Sequence, residues 1–484
     1  MRSAIAFAAL TSLLLGGCVL PPSVEPQEKA LSSDALGLGS VNAPSASTAW
    51  WKTVGDPQLD DLVTRGLAQN PTLAQALARV RAAQAQGAVA QSQLLPQVTV
   101  DGEEQRQRFS GTYVYPPPYA GNWNWIGSLN TNLSWNLDFW GKQAALVAQA
   151  GSEEEAARLD AEGARLAISG ALVQAYIALD HAYALDDIAK ETERQRQHIL
   201  DLSRQRVTSG LDTNAEVKQA EALLAAARVA REQAASGREL ALHQLVALTG
   251  EGANAYAAVK RPQLRLDGAL PLPGELPADL LSRRPDVLAA RMRVEAALSG
   301  RKAVKASFYP DINLMAFAGW AAIGLDTMLQ GQSQNYGVGP AIHLPIFDGD
   351  KLKSEYVGAT AQIDGAVAGY NATVVEAVRN VADRLTETGS LARQSDQQRQ
   401  SLDAAKEAYR LAERRYAAGL NTYLSVLSAE TLLLDARRQE ASIAAAQATN
   451  RVQLLLAVGG DFVPPAQEMA RNDTIPSSNH QPVR

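Results

Sequence analysis

The spacing of apolar residues changes period several times along the 484-residue chain. From Trp123 it alternates strictly. Trp123, Trp125, Leu129, Leu133, Trp135, Leu137 and Phe139 fall on one face, and Asn122, Asn124, Ser128, Asn130, Asn132, Ser134, Asn136 and Asp138 on the other. A period of two places such sets on opposite sides of a strand. Later, Tyr336, Val338, Ile342, Leu344 and Ile346 alternate with Asn335, Gly337, Gly339, Ala341 and His343. Ile312, Leu314, Ala316, Ala318 and Trp320 form the partner of that segment. Strands are expected at about 97–109, 122–139, 311–322 and 334–346. Thirteen residues at ~3.3 Å each reach ~43 Å, enough to cross a bilayer with tilt. Trp123, Trp125, Trp135 and Trp140 lie near the two ends, where an aromatic girdle belongs. The first strand is irregular: Val98 and Val100 begin it, but Glu104, Arg106 and Arg108 fall on the same face. Either that strand projects beyond the lipid, or its register shifts through a bulge near Gly102.

Two segments, 142–207 and 351–417, carry few Gly or Pro within a helical pattern. At 1.5 Å per residue each would be ~100 Å long, far beyond an ordinary globular helix. Leu402, Ala405, Tyr409, Ala412 and Tyr416 follow the 3-4-3-4 spacing of a coiled-coil seam. The long helices stop at Gly210 and Gly419, the usual residue just past a helix end. Second helices then return over 213–249 and 422–458 and end at Gly250 or Gly459.

These elements occur twice in the same order. Asn70-Pro71-Thr72-Leu73 through Leu95-Pro96 aligns without gaps on Arg284-Pro285-Asp286-Val287 through Tyr309-Pro310. Arg206 through Gly250 aligns on Arg415 through Gly459, with Gly210-Leu211 on Gly419-Leu420 and Thr213 on Thr422. Self-similarity at fixed offset signals an internally duplicated chain. The resulting domains are a first repeat at 49–250, a connecting segment at 251–276, a second repeat at 277–460 and a flexible tail at 461–484.

The N-terminus adds a targeting signal. Arg2, an apolar run from Ala4 to Leu15 and small residues before Cys18 read as a secretory signal over 1–17. Leu15-Gly16-Gly17-Cys18 resembles a bacterial lipobox, which implies lipidation of Cys18, palmitate among its acyl chains, and a membrane tether. Residues 18–48, rich in Pro, Ser and Gly, are expected to be extended. Cys18 is the single cysteine, so no internal disulfide framework or thiolate zinc site is available.

Composition narrows the class. The hydrophobic share is 46%, mean hydropathy is -0.15, and the formal net charge is -6. After residue 20 no run of ~18 apolar residues appears, so no transmembrane helix is expected there. The charge balance gives no sign of a nucleic-acid partner. The five histidines form no HExxH pair, and neither GxSxG nor a phosphate-binding GxxxxGK[ST] is present. An enzyme is therefore not expected, nor a metal or cofactor. Four spanning strands cannot close a barrel, because lipid tolerates no open sheet edge. Three copies supply twelve, an even number within the known range. The fold class is thus mainly α with a transmembrane β part: a 12-stranded barrel in a homotrimer, continued by a long α-helical coiled-coil periplasmic tunnel. A soluble sheet packed on the helices is the plainer alternative.

Taken in order, several short motifs resemble the TolC-like outer-membrane efflux proteins, in particular the lipoprotein branch serving resistance-nodulation-division pumps. They are Trp50-Trp51 with Gly55-Asp56-Pro57, Asn70-Pro71-Thr72-Leu73, Leu95-Pro96 and Leu137-Asp138-Phe139-Trp140-Gly141. Arg283-Arg284-Pro285-Asp286-Val287, Phe308-Tyr309-Pro310, Pro345-Ile346-Phe347-Asp348-Gly349 and Tyr416 with Gly419-Leu420 complete the set. The resemblance spans about 50–460 and implies a passive exit duct for drugs and toxic compounds across the outer membrane of a Gram-negative bacterium. It also implies two partners, a periplasmic adaptor (membrane fusion) protein and an inner-membrane resistance-nodulation-division transporter. Gly210, Leu211, Asp212, Thr213, Gly419, Leu420, Asn421 and Thr422 are the implied adaptor-contact tips, and Glu216, Tyr416, Ser425 and Ser428 the implied periplasmic gate. The resemblance implies inward-facing Asp residues, common in this family, one turn into the helix after the second tip; Ser425 and Ser428 stand there instead, so an acidic ring would have to come from Asp212 and Glu216, with a solvated helix face the alternative for Glu216. Tyr416 either bridges hairpins or packs in the seam. A protein-secretion exit and a lipid-anchored scaffold without a channel are the competing functions.

Overall fold

The computed structural model describes residues 21–32, 36–38, 49–264, 273–277 and 279–463. The signal segment 1–17, Cys18, much of 18–48, part of 251–276 and all but the start of 461–484 lie outside the described residues. The chain divides into two compact units. The first holds the described residues of 1–30, 79–157 and 289–371, and the second those of 31–78, 158–288 and 372–484. Each unit draws on both sequence repeats.

Twelve main elements follow in order: α1 (Pro57–Gln69), α2 (Pro71–Ser92), β1 (Gln97–Arg108), β2 (Trp123–Asn136), α3 (Lys142–Thr208), α4 (Asn214–Thr249), α5 (Leu280–Arg283), α6 (Pro285–Ala306), β3 (Asp311–Ile323), β4 (Gln334–His343), α7 (Lys351–Ala417) and α8 (Tyr423–Ala457). Equivalent elements have matching lengths. Helices α2 and α6 are each 22 residues long, α3 and α7 are each 67, and α4 and α8 are 36 and 35.

The first unit contains one antiparallel sheet in the order β1-β2-β3-β4. Its ladders are unbroken from Gln97 opposite Ser134 to Arg108 opposite Trp123, from Asn136 opposite Asn313 to Ile126 opposite Ile323, and from Asp311 opposite His343 to Trp320 opposite Gln334. No bulge interrupts β1 at Gly102, which pairs with Leu129. β1 and β4 are left as open edges.

Two strands are shorter than the alternation predicts, so Leu137 and Phe139 beyond β2 and Leu344 and Ile346 beyond β4, all expected on spanning strands, require correction. Leu137 lies just past β2, although its N–H still donates to Ile312 O at 3.1 Å. Asp138 then turns the chain at φ 30 and caps α3, accepting from the N–H groups of Gln143 and Ala144 at 2.8 Å each. Leu344 lies just past β4. Pro345 follows it, lacks an N–H and restricts its predecessor, so pairing ends at His343.

The second unit is helical. Asp56 caps α1 by accepting from Gln58 N at 3.0 Å, with Pro57 in the first turn. The same carboxylate accepts from the Tyr176 hydroxyl at 2.6 Å and from Gln263 N at 2.9 Å. Trp50, Trp51, Leu59 and Leu62 of the chain start pack with Leu172, Tyr176, Leu245 and Leu455 in one core. A second core joins Ile199, Leu200, Leu224, Leu402, Tyr409, Tyr416, Val426 and Leu433. Of the seam residues, Leu402, Ala405, Tyr409 and Tyr416 are buried, and Ala412 packs half-buried against them. Among the described residues no helix is long and apolar enough to cross a membrane.

Candidate functional site

The pairing registers fix which side chains share a face of the sheet. Directly opposite residues point the same way. One face therefore carries Val98 and Val100, then Leu129, Leu133 and Trp135, then Ile312, Leu314, Ala316 and Ala318, then Tyr336, Val338 and Ile342. Trp123 and Trp125 complete it at the loop end. On the edge strands these side chains have little cover within the chain, Val100 being 66% exposed, Tyr336 78% and Val338 77%, while Leu129, Leu133, Ile312 and Leu314 on the inner strands are half-buried. An apolar surface of this extent, contiguous over four strands, marks contact with a partner or a membrane. The tryptophans near the helix end donate their indole N–H groups to carbonyls: Trp135 to Leu94 O at 3.0 Å and Trp140 to Pro310 O at 2.8 Å.

The opposite face is polar along β1 and most of β2, while β3 places the exposed Met315 and Phe317 on it opposite Ser134 and Asn132. Asp101 accepts from Asn132 Nδ2 at 2.7 Å and from the Thr99 hydroxyl at 3.0 Å. Ser134 meets Asn313 at 2.8 Å, and Asn136 donates to Asp311 at 2.6 Å. These bonds run across β1, β2 and β3 and satisfy polar groups without closing the face off. Glycine is required once here. A Cβ on Gly319 would stand 2.1 Å from Leu129 O, so only Gly allows β2 and β3 to pair at that level.

In the second unit the two hairpin turns have the same construction. Gly210 N–H donates to Val207 O at 3.0 Å and Leu211 N–H to Arg206 O at 2.9 Å. Gly419 N–H donates to Tyr416 O at 3.0 Å and Leu420 N–H to Arg415 O at 2.8 Å. Both are Schellman ends with Gly in the left-handed region, at φ 72 and 75. Leu211 and Leu420 project from the turns, 60% and 78% exposed. Beyond them the turns differ. Thr213 caps α4 through a capping box, its N–H donating to Glu216 Oε2 at 3.0 Å. Thr422 makes no such side-chain cap; its N–H donates to Asn421 Oδ1, and its hydroxyl lies 3.2 Å from that of Ser425. Ser428 bonds back to Leu424 O at 2.9 Å.

Tyr416 and Asp212 meet in a latch between the hairpins that also involves Arg206. The guanidinium holds Asp212 through two bonds of 2.7 and 3.0 Å and donates to Tyr416 O at 2.6 Å. The Tyr416 hydroxyl donates to Asp212 at 2.6 Å and lies 3.1 Å from the Ser203 hydroxyl. The guanidinium also sits over the Tyr416 ring, 4.4 Å from its centroid. Its hydrogen bonds to Asp212 hold that carboxyl below the usual carboxylate range. Burial, helped by the adjacent Asp212 carboxylate, pushes Tyr416 up to about 12. Tyr416 thus both packs in the seam and bridges the two hairpins of one chain. Asp212 and Glu216, the residues left to supply an acidic ring, both have local partners. Thr213 lowers the Glu216 pKa through the capping-box bonds.

Further along the hairpins lies a buried ion pair. Arg196 of α3 donates to Glu430 of α8 at 3.2 Å and to Leu223 O of α4 at 2.9 Å. Burial raises the Glu430 pKa, with Arg196 pulling the other way. Ser203, Arg206, Arg196 and Glu430 have no signature in the sequence, since their roles depend on which helices come together. Among the described residues no group of three or more His, Cys, Asp or Glu side chains could hold a metal ion.

A sheet with one apolar and one mostly polar face, followed in the chain by paired 67-residue helices, defines a class of membrane duct rather than an enzyme. The chain belongs to the outer membrane efflux protein family, whose model matches residues 62–251 and 276–460. It is 36% identical over 372 residues to the fusaric acid resistance protein FusA of Burkholderia cepacia, spanning 75% of this chain and 70% of that protein. It is 28% identical over 464 residues to the multidrug resistance outer membrane protein MdtQ of Escherichia coli O157:H7, spanning 93% and 96%. Among solved structures, the outer membrane protein VceC of Vibrio cholerae superposes with a TM-score of 0.81 at 32% identity, covering 86% of this chain and all of that one. The Campylobacter jejuni CmeC outer membrane channel shares the fold at a TM-score of 0.83 and 24% identity, covering 94% and 98%.

Proposed function

We propose that this chain forms a homotrimeric exit duct of a tripartite efflux system, releasing small toxic molecules across the outer membrane. The observation that carries this reading is the sheet: it has an uncovered apolar face, a second face that is mostly polar apart from Met315 and Phe317, and two open edges. In lipid both edges must be paired. Pairing β1 of one copy with β4 of the next closes twelve strands with the apolar face outward, toward outer-membrane lipid, and the polar face around water. Drug resistance in the names of the relatives supports small molecules as the cargo. The duct itself supplies no energy; an inner-membrane transporter of the resistance-nodulation-division class does, through a periplasmic adaptor protein.

The exposed Leu211 and Leu420, on turns of matching construction, are the contact for that adaptor, with Asp212, Thr213, Asn421 and Thr422 beside them. The Arg206–Asp212–Tyr416 latch keeps the hairpins together in the closed state. Acylation of Cys18 adds a lipid anchor. The test is conductance of the purified full-length protein in planar bilayers, with cross-linking to count subunits. Trimers that conduct weakly, and more strongly once the latch is cut, support the reading. A species that is monomeric and monodisperse without detergent would sink it and favour the scaffold. Co-purification with an unfolded secreted polypeptide rather than small-molecule efflux would favour protein secretion.

A further inference from the structure

Within 97–136 and 311–343, the strands and the loops that join them, Arg106 and Arg108 are the only Lys or Arg residues. Unbroken pairing puts both on the apolar face, Arg106 opposite Trp125 and Arg108 opposite Trp123. They stand at the end of β1 that enters the loop, away from the end that joins α2. Trp125 and Trp135 are ten residues apart. That separation is ~33 Å along a strand, or ~25 Å across a membrane at a tilt of ~40°, the height of an outer-membrane apolar band. Arg106 therefore lies level with the outer girdle, and Arg108 one step beyond it. The Arg106 guanidinium sits 5.9 Å from the Trp125 ring centroid. Arg108 is anchored by its Nε, which donates to Gly121 O at 3.1 Å, leaving its terminal nitrogens for another acceptor. Glu104, opposite Gly127 and one step inward, offsets only one of the two charges.

We infer that Arg106 and Arg108 form a lipid-facing site for the phosphate of a phosphorylated glycolipid in the outer leaflet. The inference rests on the barrel reading, which turns this face outward. A guanidinium presents a planar fork of donors that matches phosphate, and paired forks beside tryptophans suit a headgroup lying at the apolar boundary.

The test uses the full-length protein in detergent and native mass spectrometry of retained lipid. The probes are bisphosphorylated lipid A, its dephosphorylated form and inorganic phosphate. Wild type should retain the phosphorylated lipid selectively, and Arg106→Gln with Arg108→Gln should bind it about tenfold more weakly, the loss expected for removing charge-assisted bonds. If the double variant fails to assemble, each single variant should show a smaller loss. Equal retention of both lipids, unchanged retention in the variants, or inorganic phosphate binding as well as the lipid would overturn the assignment. Conductance is measured on the same preparation. Conducting protein without phosphate selectivity sinks the lipid site alone, and selective retention without conductance sinks the duct reading alone.

Discussion

The latch between the hairpins offers the sharpest test of how this duct would be held shut. Asp212→Ala removes the carboxylate that receives two bonds from Arg206 and one from Tyr416. The Arg206 and Asp212 side chains are 8% and 13% exposed. A surface pair contributes about 0–1 kcal/mol, while breaking a fully buried one costs about 3–5 kcal/mol. This nearly buried pair falls between, at about 2–3 kcal/mol, or roughly a 30- to 150-fold shift toward parted hairpins. Single-channel recording in planar bilayers should show that shift as a higher open probability, with the trimer intact by cross-linking. Because hydrogen bonds from Arg206 depress the Asp212 pKa, the latch is complete above the usual carboxylate range and is lost only as pH falls through the depressed value. Wild-type conductance should then be flat from about pH 5 to 8 and rise only below about pH 4. If Asp212→Ala trimers conduct as wild type does, or if wild type opens near neutral pH, the latch does not hold the gate.

Two further predictions address the sheet and the hairpin body. Leu129 lies near the middle of the span between Trp125 and Trp135, so Leu129→Arg should cost about 2–4 kcal/mol per subunit and block membrane assembly, seen as loss of heat-resistant trimers on gels. The same change at Leu133, nearer the girdle, should cost less. Arg196→Met leaves the Glu430 carboxylate buried without its partner, so the thermal midpoint in detergent should fall, corresponding to about 3–5 kcal/mol, with a smaller loss at acidic pH. The sign follows from the raised Glu430 pKa: the cost of burying its charge is full above that value and disappears as the carboxyl protonates.

The sequence by itself determined the periodic parts. Alternation in 123–136 and 334–343 set the strand faces, since a period of two admits only one division into sides once the residues are extended. The long gap between helix breakers set the lengths of α3 and α7, and the repeated Gly-Leu pairs placed both turns. Local signals failed at the ends and in the contacts. Leu137 and Leu344 continue the alternation, but Asp138 and Pro345 stop the ladder there. The charged end of β1 allowed either a bulge or a straight strand, and only pairing with Trp123 and Trp125 decided for the straight one. Tertiary structure alone brought Arg206 to Tyr416, 210 positions away in sequence, and Arg196 to Glu430. Periodicity reports which way a side chain points from its own element. It carries no information about which distant side chain will be there to meet it.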